Sequence, residues 1–100
     1  MSEPTTTVDH ERVVVEISGH VQAVGYRYYA RKAAVRLNLV GWVRNDPEGT
    51  VTVWAEGPKE KLEAFVEILE EGPTSAEVDE VDVRWEPASG RFEKFSVEQY

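Results

Sequence analysis

The segment Gly19-His20-Val21-Gln22-Ala23-Val24-Gly25-Tyr26-Arg27 combines two glycines, a run of backbone N–H groups and one arginine, with no acid among them. Those residue types can receive an anion. Glycine lets the backbone turn tightly and approach a guest without interference from a Cβ. A guanidinium can hold two phosphate oxygens at once. The surroundings point the same way. No Asp or Glu occurs between Glu16 and Asp46, a window that carries a formal +5 from Arg27, Arg31, Lys32, Arg36 and Arg44. The rest of the chain, whose net charge is -8, therefore carries -13. An ordinary strand-to-helix turn with a solvated arginine fits the loop equally well, and from the loop alone both readings stand.

The elements around this segment follow from hydrophobic period. Val13, Val15 and Ile17 alternate along Arg12–Ser18 and predict a half-buried strand. From Tyr26 the period becomes helical, with Tyr26, Ala30, Ala33 and Leu37 on one stripe and Arg27, Arg31, Lys32 and Arg36 largely off it. The segment thus joins a strand end to a helix N-terminus, where free N–H groups and the helix dipole favour a negative guest. Arg27 falls in the first helical turn, which is slightly unfavourable to the helix itself and sensible if a phosphate lies between. Asn38 is a suitable stop, since Asn tolerates a left-handed backbone. Trp42–Asn45 and Thr50–Ala55 read as strands around the turn Asp46-Pro47-Glu48-Gly49. A second helix is expected over residues 59–71, its apolar stripe being Leu62, Phe65, Val66 and Leu69, ended by Gly72-Pro73. Val81, Val83 and Trp85 mark a fourth strand, and Phe95-Ser96-Val97 a short fifth.

The order β-α-β-β-α-β plus a terminal strand, with one-sided helices, predicts an α+β fold. Its form is a ferredoxin-like βαββαβ two-layer sandwich, an antiparallel sheet with a short extra C-terminal strand and both helices on one face. Residues 1–10 read as a disordered polar tail and residues 11–100 as one domain. Such a fold hosts many functions and decides none.

Bulk properties narrow the classes. The chain has 100 residues, 41% hydrophobic and 30% charged, enough for one modest core. It has no cysteine and two histidines, His10 and His20, too far apart in sequence for a zinc site. The expectation is a cytoplasmic protein without metal or cofactor. No apolar run of roughly 18 residues is present, and the start "MSEPTTTVDHER" is not a signal peptide. An isoelectric point near 4.7 opposes general nucleic-acid binding. The surplus acid reads first as ordinary solubility charge and second as salt adaptation.

"GHVQAVGYR" resembles the acylphosphatase signature Gly-x-Val-Gln-Gly-Val-Gly-Tyr/Phe-Arg. A second family pattern runs Gly, an aromatic, a small residue, a basic or polar residue, Asn, three free positions, Gly-x-Val and a later Gly. Here it reads Gly41-Trp42-Val43-Arg44-Asn45, then Asp46-Pro47-Glu48, then Gly49-Thr50-Val51, with Gly57 following. The resemblance covers the chain from about Arg12 onward. It implies hydrolysis of an acyl phosphate to a carboxylate and inorganic phosphate, with a small-molecule substrate and no metal. It implies that Arg27 binds the phosphoryl group together with the loop His20, Val21, Gln22, Ala23, Val24, Gly25 and Tyr26, and that Asn45 orients the attacking water. The chemistry is consistent: a carboxylate whose conjugate acid has a pKa near ~4 leaves without a general acid. Phosphoryl transfer asks the protein mainly for positioning and charge stabilisation. An amide can accept from and donate to a water while staying neutral. Acids are then absent from the window because a carboxylate would repel the phosphoryl group.

One residue departs from the pattern: Ala23 stands where the family has Gly. If that position is left-handed, Ala costs roughly 1 kcal/mol or more, which keeps open a non-catalytic phosphate-binding or regulatory domain. A similar module also begins a much larger hydrogenase-maturation protein that continues into cysteine-rich segments; a free-standing monomeric enzyme is the expectation here. His20 reads as a solvated loop residue, Arg31, Lys32 and Arg36 as a solvated face, Tyr26, Tyr28 and Tyr29 as core and boundary aromatics. Trp42 and Trp54 could stack on a base, but the third strand "TVTVWAEG" lacks the aromatic RNA-binding motif of this fold. Neither nucleic acid nor a membrane is expected as a partner. The acids of the second helix (Glu60, Glu63, Glu67, Glu70, Glu71) read as a solvated face.

Overall fold

A computed structural model of the chain describes residues 9–99. The elements are β1 (His10–His20), α1 (Tyr26–Arg36), β2 (Val40–Asn45), β3 (Val51–Pro58), α2 (Lys59–Glu71), β4 (Glu77–Pro87) and β5 (Phe95–Glu98). They form one five-stranded sheet in the order β4-β1-β3-β2-β5. Apart from Asp9 and His10, the tail expected over 1–10 lies outside the described residues, and His10 already belongs to β1.

The strand alternation puts Val13, Val15 and Ile17 of β1, Val43 of β2, and Val51, Val53 and Ala55 of β3 on one fully buried face. Tyr26, Ala30, Ala33 and Ala34 of α1 and Leu62, Phe65 and Leu69 of α2 cover it. Phe65 meets Phe95 of β5 edge-on at 6.0 Å between centroids. Burying these side chains at about 25 cal/mol per Å² of apolar surface is the main drive for the two-layer arrangement. Helix α1 ends as its sequence suggests, with Asn38 left-handed at φ 57°.

The structure changes the sequence-based picture in several places. The sheet is mixed, not wholly antiparallel: β5 runs parallel to β2, because the chain leaves β4 at one sheet edge and crosses to the other. The connection is anchored by Glu56, buried on the end of β3, whose carboxylate accepts from Ser89 N (2.9 Å), Ser89 Oγ (2.9 Å), Gly90 N (3.0 Å) and Arg12 Nη1 (3.3 Å). Strand β4 begins at Glu77, well before Val81, since it pairs along the whole of β1. Ala34 completes the α1 stripe while Leu37 is only half-buried. Tyr28, read as a core or boundary aromatic, is 64% exposed, because its place on α1 faces away from the sheet.

The face of the sheet without helices carries Trp42 and Trp54, which stack on each other at 5.3 Å and 19°. Arg44 lies over the Trp42 ring (4.8 Å) and Arg12 over the Trp54 ring (4.4 Å).

Candidate functional site

Residues 21–25 carry the chain from β1 into α1. Val21 is buried in the core and pins the loop from beneath; Val24 packs against the same core. Ala23 is left-handed at φ 62° and Gly25 at φ 77°. The strain anticipated for Ala23 is therefore present, at about 1–2 kcal/mol for an L-residue. Gly25 is the N-cap of α1 and offers no side chain to it, and no acid lies in the first turn. The first N–H groups of a helix lack intrahelical partners. Here they stay uncapped in a positive field, beside Arg27.

Four side chains draw the functional candidates to one end of the sheet. Gln22 Nε2 donates to the carbonyls of Asp46 (2.8 Å) and Thr50 (2.9 Å), stitching the loop to the β2–β3 turn. Ser75 Oγ donates to Val24 O (2.9 Å) and holds the loop from its other side. Arg27 Nη1 donates to Glu98 O (2.9 Å), and Arg31 Nε donates to Phe95 O (3.2 Å), so α1 is clamped along β5. Glu98 pairs with Arg44 across the β2–β5 ladder, one residue from Asn45. Loop, Arg27 and the end of β2 thus converge.

Asn45 follows Val43 on the helix side of β2. Its Oδ1 is buried and has no hydrogen-bond partner among the described residues. Buried side-chain oxygens are nearly always satisfied, by protein or by water. An amide oxygen left open beside an anion-receptive helix start is suited to holding a water's hydrogen.

Asp46, the next residue, qualifies the picture of an acid-free neighbourhood. It is 6% exposed, but its carboxylate turns toward Arg44 and Thr52, on the side away from Asn45. Burial pushes this carboxyl up, yet hydrogen bonds from Thr52, Thr50 and Arg44 together hold it below its ordinary value. Its charge is met by Arg44 Nε at 3.1 Å.

The other expected site residues divide clearly. His20 is the exposed last residue of β1, paired with Glu77, and not a loop residue. The Val21 side chain is core, and Tyr26 is buried with its hydroxyl donating to Leu69 O at 2.6 Å. From Val21, Val24 and Tyr26 only backbone groups face any guest; Ala23 and Gly25 are exposed at the turn. Tyr29 likewise donates to Ile68 O (2.8 Å), tying α1 to α2. Sequence reasoning missed the side chain of Gln22, the carboxylate of Asp46 and the hydroxyl of Ser75. Gln22 and Ser75 work through contacts distant in sequence, whereas Asp46 works through a carboxylate turned onto its own hairpin. Among the described residues no group of three His, Cys, Asp or Glu is placed to hold a metal ion.

Gly41, at the head of β2, shows why the second motif begins with glycine: at φ 141° a Cβ there would collide with the Trp54 carbonyl.

Known proteins resemble this chain in sequence and in fold. The acylphosphatase family model matches residues 13–97. The acylphosphatase of Salinibacter ruber is 46% identical over 91 residues, covering 91% of this chain and 96% of that one. The acylphosphatase of Thermus thermophilus is 48% identical over 79 residues, covering 79% of this chain and 90% of that protein. The crystal structure of acylphosphatase from Bacillus subtilis superposes with a TM-score of 0.85 at 32% identity, covering 88% of this chain and 98% of that chain. With the family model spanning both motifs and nearly every element, the chain belongs to the acylphosphatase family.

Proposed function

We propose that this acylphosphatase hydrolyses acyl phosphates to a carboxylate and inorganic phosphate, with Arg27 and the loop N–H groups binding the phosphoryl group and Asn45 orienting the water. The observation that carries the reading is the buried, unpartnered Oδ1 of Asn45 at the sheet end where the uncapped start of α1 and Arg27 also lie. Held through its hydrogen by Asn45, the water presents a lone pair to phosphorus. The new P–O bond forms as the acyl P–O bond breaks. The carboxylate departs with the bonding pair, and both water protons remain with the product as dihydrogen phosphate. Charge on the equatorial oxygens is met by Arg27 and the backbone donors. No general acid is required for so good a leaving group, and no step asks for a metal or cofactor. Arg27 must exchange or share its bond to Glu98 O to engage the phosphoryl oxygens, and its five donors allow the sharing. A small-molecule substrate, a monomeric state and a cytoplasmic setting, with no nucleic acid or membrane as partner, belong to the same reading.

The strained Ala23 favours one other reading, a phosphate-binding domain of the same fold without turnover. Hydrolysis of a simple aromatic acyl phosphate, followed by ultraviolet absorbance with chelator present, separates the two. Turnover should fall by about 10³ in Arg27→Ala and by about 10² in Asn45→Ala, with circular dichroism unchanged. Absence of turnover in the wild type, with phosphate still raising Tm, would establish the binding domain instead.

A further inference from the structure

We infer that Asp46 is the positioning residue for the hydrolytic water, acting through Asn45; the inference rests on the reading of Asn45 just given. Asn45 is the last residue of β2 and its amide oxygen has no partner among the described residues to steer it. Its aim must come from its backbone, and the backbone on its turn side is Asp46. Every polar atom of Asp46 is engaged. Its N–H donates to Thr50 O (2.8 Å), and its carbonyl accepts from Gly49 N (3.0 Å) and Gln22 Nε2 (2.8 Å). One carboxylate oxygen accepts from Arg44 Nε (3.1 Å), the other from Thr50 Oγ1 (2.9 Å) and Thr52 Oγ1 (2.6 Å).

A plain turn residue would not be bonded in this way. Asp at the start of a turn ordinarily accepts from its own backbone two residues onward. The Asp46 carboxylate instead reaches the side chains of Arg44 on β2, Thr52 on β3 and Thr50 beside it, clamping the turn end of the β2–β3 pair. The family pattern leaves position 46 free, so ordinary membership does not ask for an acid. Placing a buried carboxylate one residue from an anion-receptive site runs against electrostatics unless it does something a neutral residue would not. The clamped turn is also where Gln22 joins the phosphate loop, through the carbonyls of Asp46 and Thr50. The turn that the Asp46 carboxylate clamps therefore sets the distance between the loop and Asn45. Misplacing a water-orienting group by as little as 1 Å can lower turnover by up to about a hundredfold.

The test is a kinetic cycle on the full chain with wild type, Asp46→Ala, Asn45→Ala and the double variant, each also titrated with inorganic phosphate as inhibitor. Asp46→Ala should lower kcat about tenfold while KM and the phosphate inhibition constant stay within about twofold. In the Asn45→Ala background it should cost nothing further, because groups that act as a unit are not additive. A loss that multiplies in the double variant, a loss seen in KM and phosphate inhibition rather than kcat, or an unchanged kcat in folded Asp46→Ala overturns the inference. If Asn45→Ala is too slow to measure, the kcat-against-KM split decides. If Asp46→Ala does not fold, Thr52→Val removes one donor while keeping shape; a kcat loss of about threefold supports the inference and none overturns it. Wild-type turnover in Asn45→Ala would remove the water-orienting reading and this inference together. An impaired Asn45→Ala beside an unimpaired Asp46→Ala would remove this inference alone.

Discussion

Two strands pass into helices at opposite ends of this sheet, and the two junctions are built differently. At one, β3 enters α2 with no intervening residue, Pro58 being both the last residue of the strand and the cap of the helix. Proline has no N–H to leave unpaired. Glu60 then places an acid in the first turn, where the dipole favours it. At the other, β1 needs five residues to enter α1, two of them left-handed. The cap is a glycine with no side chain to offer, no acid follows, and Arg27 sits in the first turn. Neither cap gives its helix a side-chain hydrogen bond, but the α2 junction has an extended backbone and an acid where the dipole favours one. The α1 junction gives up the acid and the relaxed backbone, and what remains is a strained turn with Arg27 beside the free N–H groups of the helix start. The difference teaches where function has overruled folding.

The largest effect expected from disturbing this contrast lies at the α2 end. Glu56, two residues before Pro58, is a buried acid serving only the chain's path. Replacing it by Ala should lower the unfolding free energy by about 3 kcal/mol, measured in urea, because four donors including Arg12 lose their acceptor. Turnover by the folded fraction should not change; a parallel fall in kcat would mean the two ends are not independent. Its charge also sets an acid limb. Burial pushes the Glu56 carboxyl up, but bonds from Ser89 and Gly90 and the nearby Arg12 outweigh that and hold it below its ordinary 4.5. A lowered carboxyl contributes stability fully present above 4.5 and lost as pH falls through its folded value. Stability of Glu56→Gln should accordingly vary less with pH in that range.

A middle-sized effect should follow from making the α1 junction resemble its counterpart. Tyr28→Glu introduces an acid at an exposed first-turn position, copying Glu60. KM and the phosphate inhibition constant should rise about tenfold, while the helix gains roughly 0.5 kcal/mol from its dipole. A variant both more stable and weaker in phosphate binding would sharpen the contrast; unaltered phosphate binding would break it. The smallest effect concerns strain. Ala23→Gly should raise stability by about 0.5–1 kcal/mol, the left-handed penalty less the added freedom of glycine when unfolded. Turnover should hold or rise, and a clear fall would show that the loop is built around its methyl group.

Much of the fold was legible because its cause is local. Val13, Val15 and Ile17 announce a half-buried strand by period alone, and Leu62, Phe65 and Leu69 announce α2. Gly72-Pro73 and Asn38 mark helix ends through backbone chemistry that each residue carries by itself. The two motifs likewise announced the loop and the end of β2. What could not be read was set by distance along the chain. Nothing in "FSV" says that β5 will lie parallel beside β2; that depends on the crossover fastened to Glu56. Nothing local exposes Tyr28 while burying Tyr26 and half-burying Tyr29, since the position of the sheet beneath α1 decides. Within the site, Arg27 stood out by charge, whereas Gln22 looked like one more backbone donor and Asp46 like a turn residue. Their side chains find partners 24 to 28 residues away in one case and on two neighbouring strands in the other.

The strand order has a consequence for how the molecule comes into being. β1 is synthesised first but lies between β3 and β4, both made later. Of the described strand pairs, only β2 with β3 joins neighbours in the chain; every other pairing closes a long loop, at an entropic cost that grows with its length. On the ribosome the valines of β1 therefore emerge with nothing to pair against until the β2–β3 hairpin exists, and β1 gains its second neighbour only when β4 follows. The β2–β3 hairpin, whose turn follows Asn45, is thus the one short-range pairing among the described strands and the natural template on which the oldest part of the chain can settle.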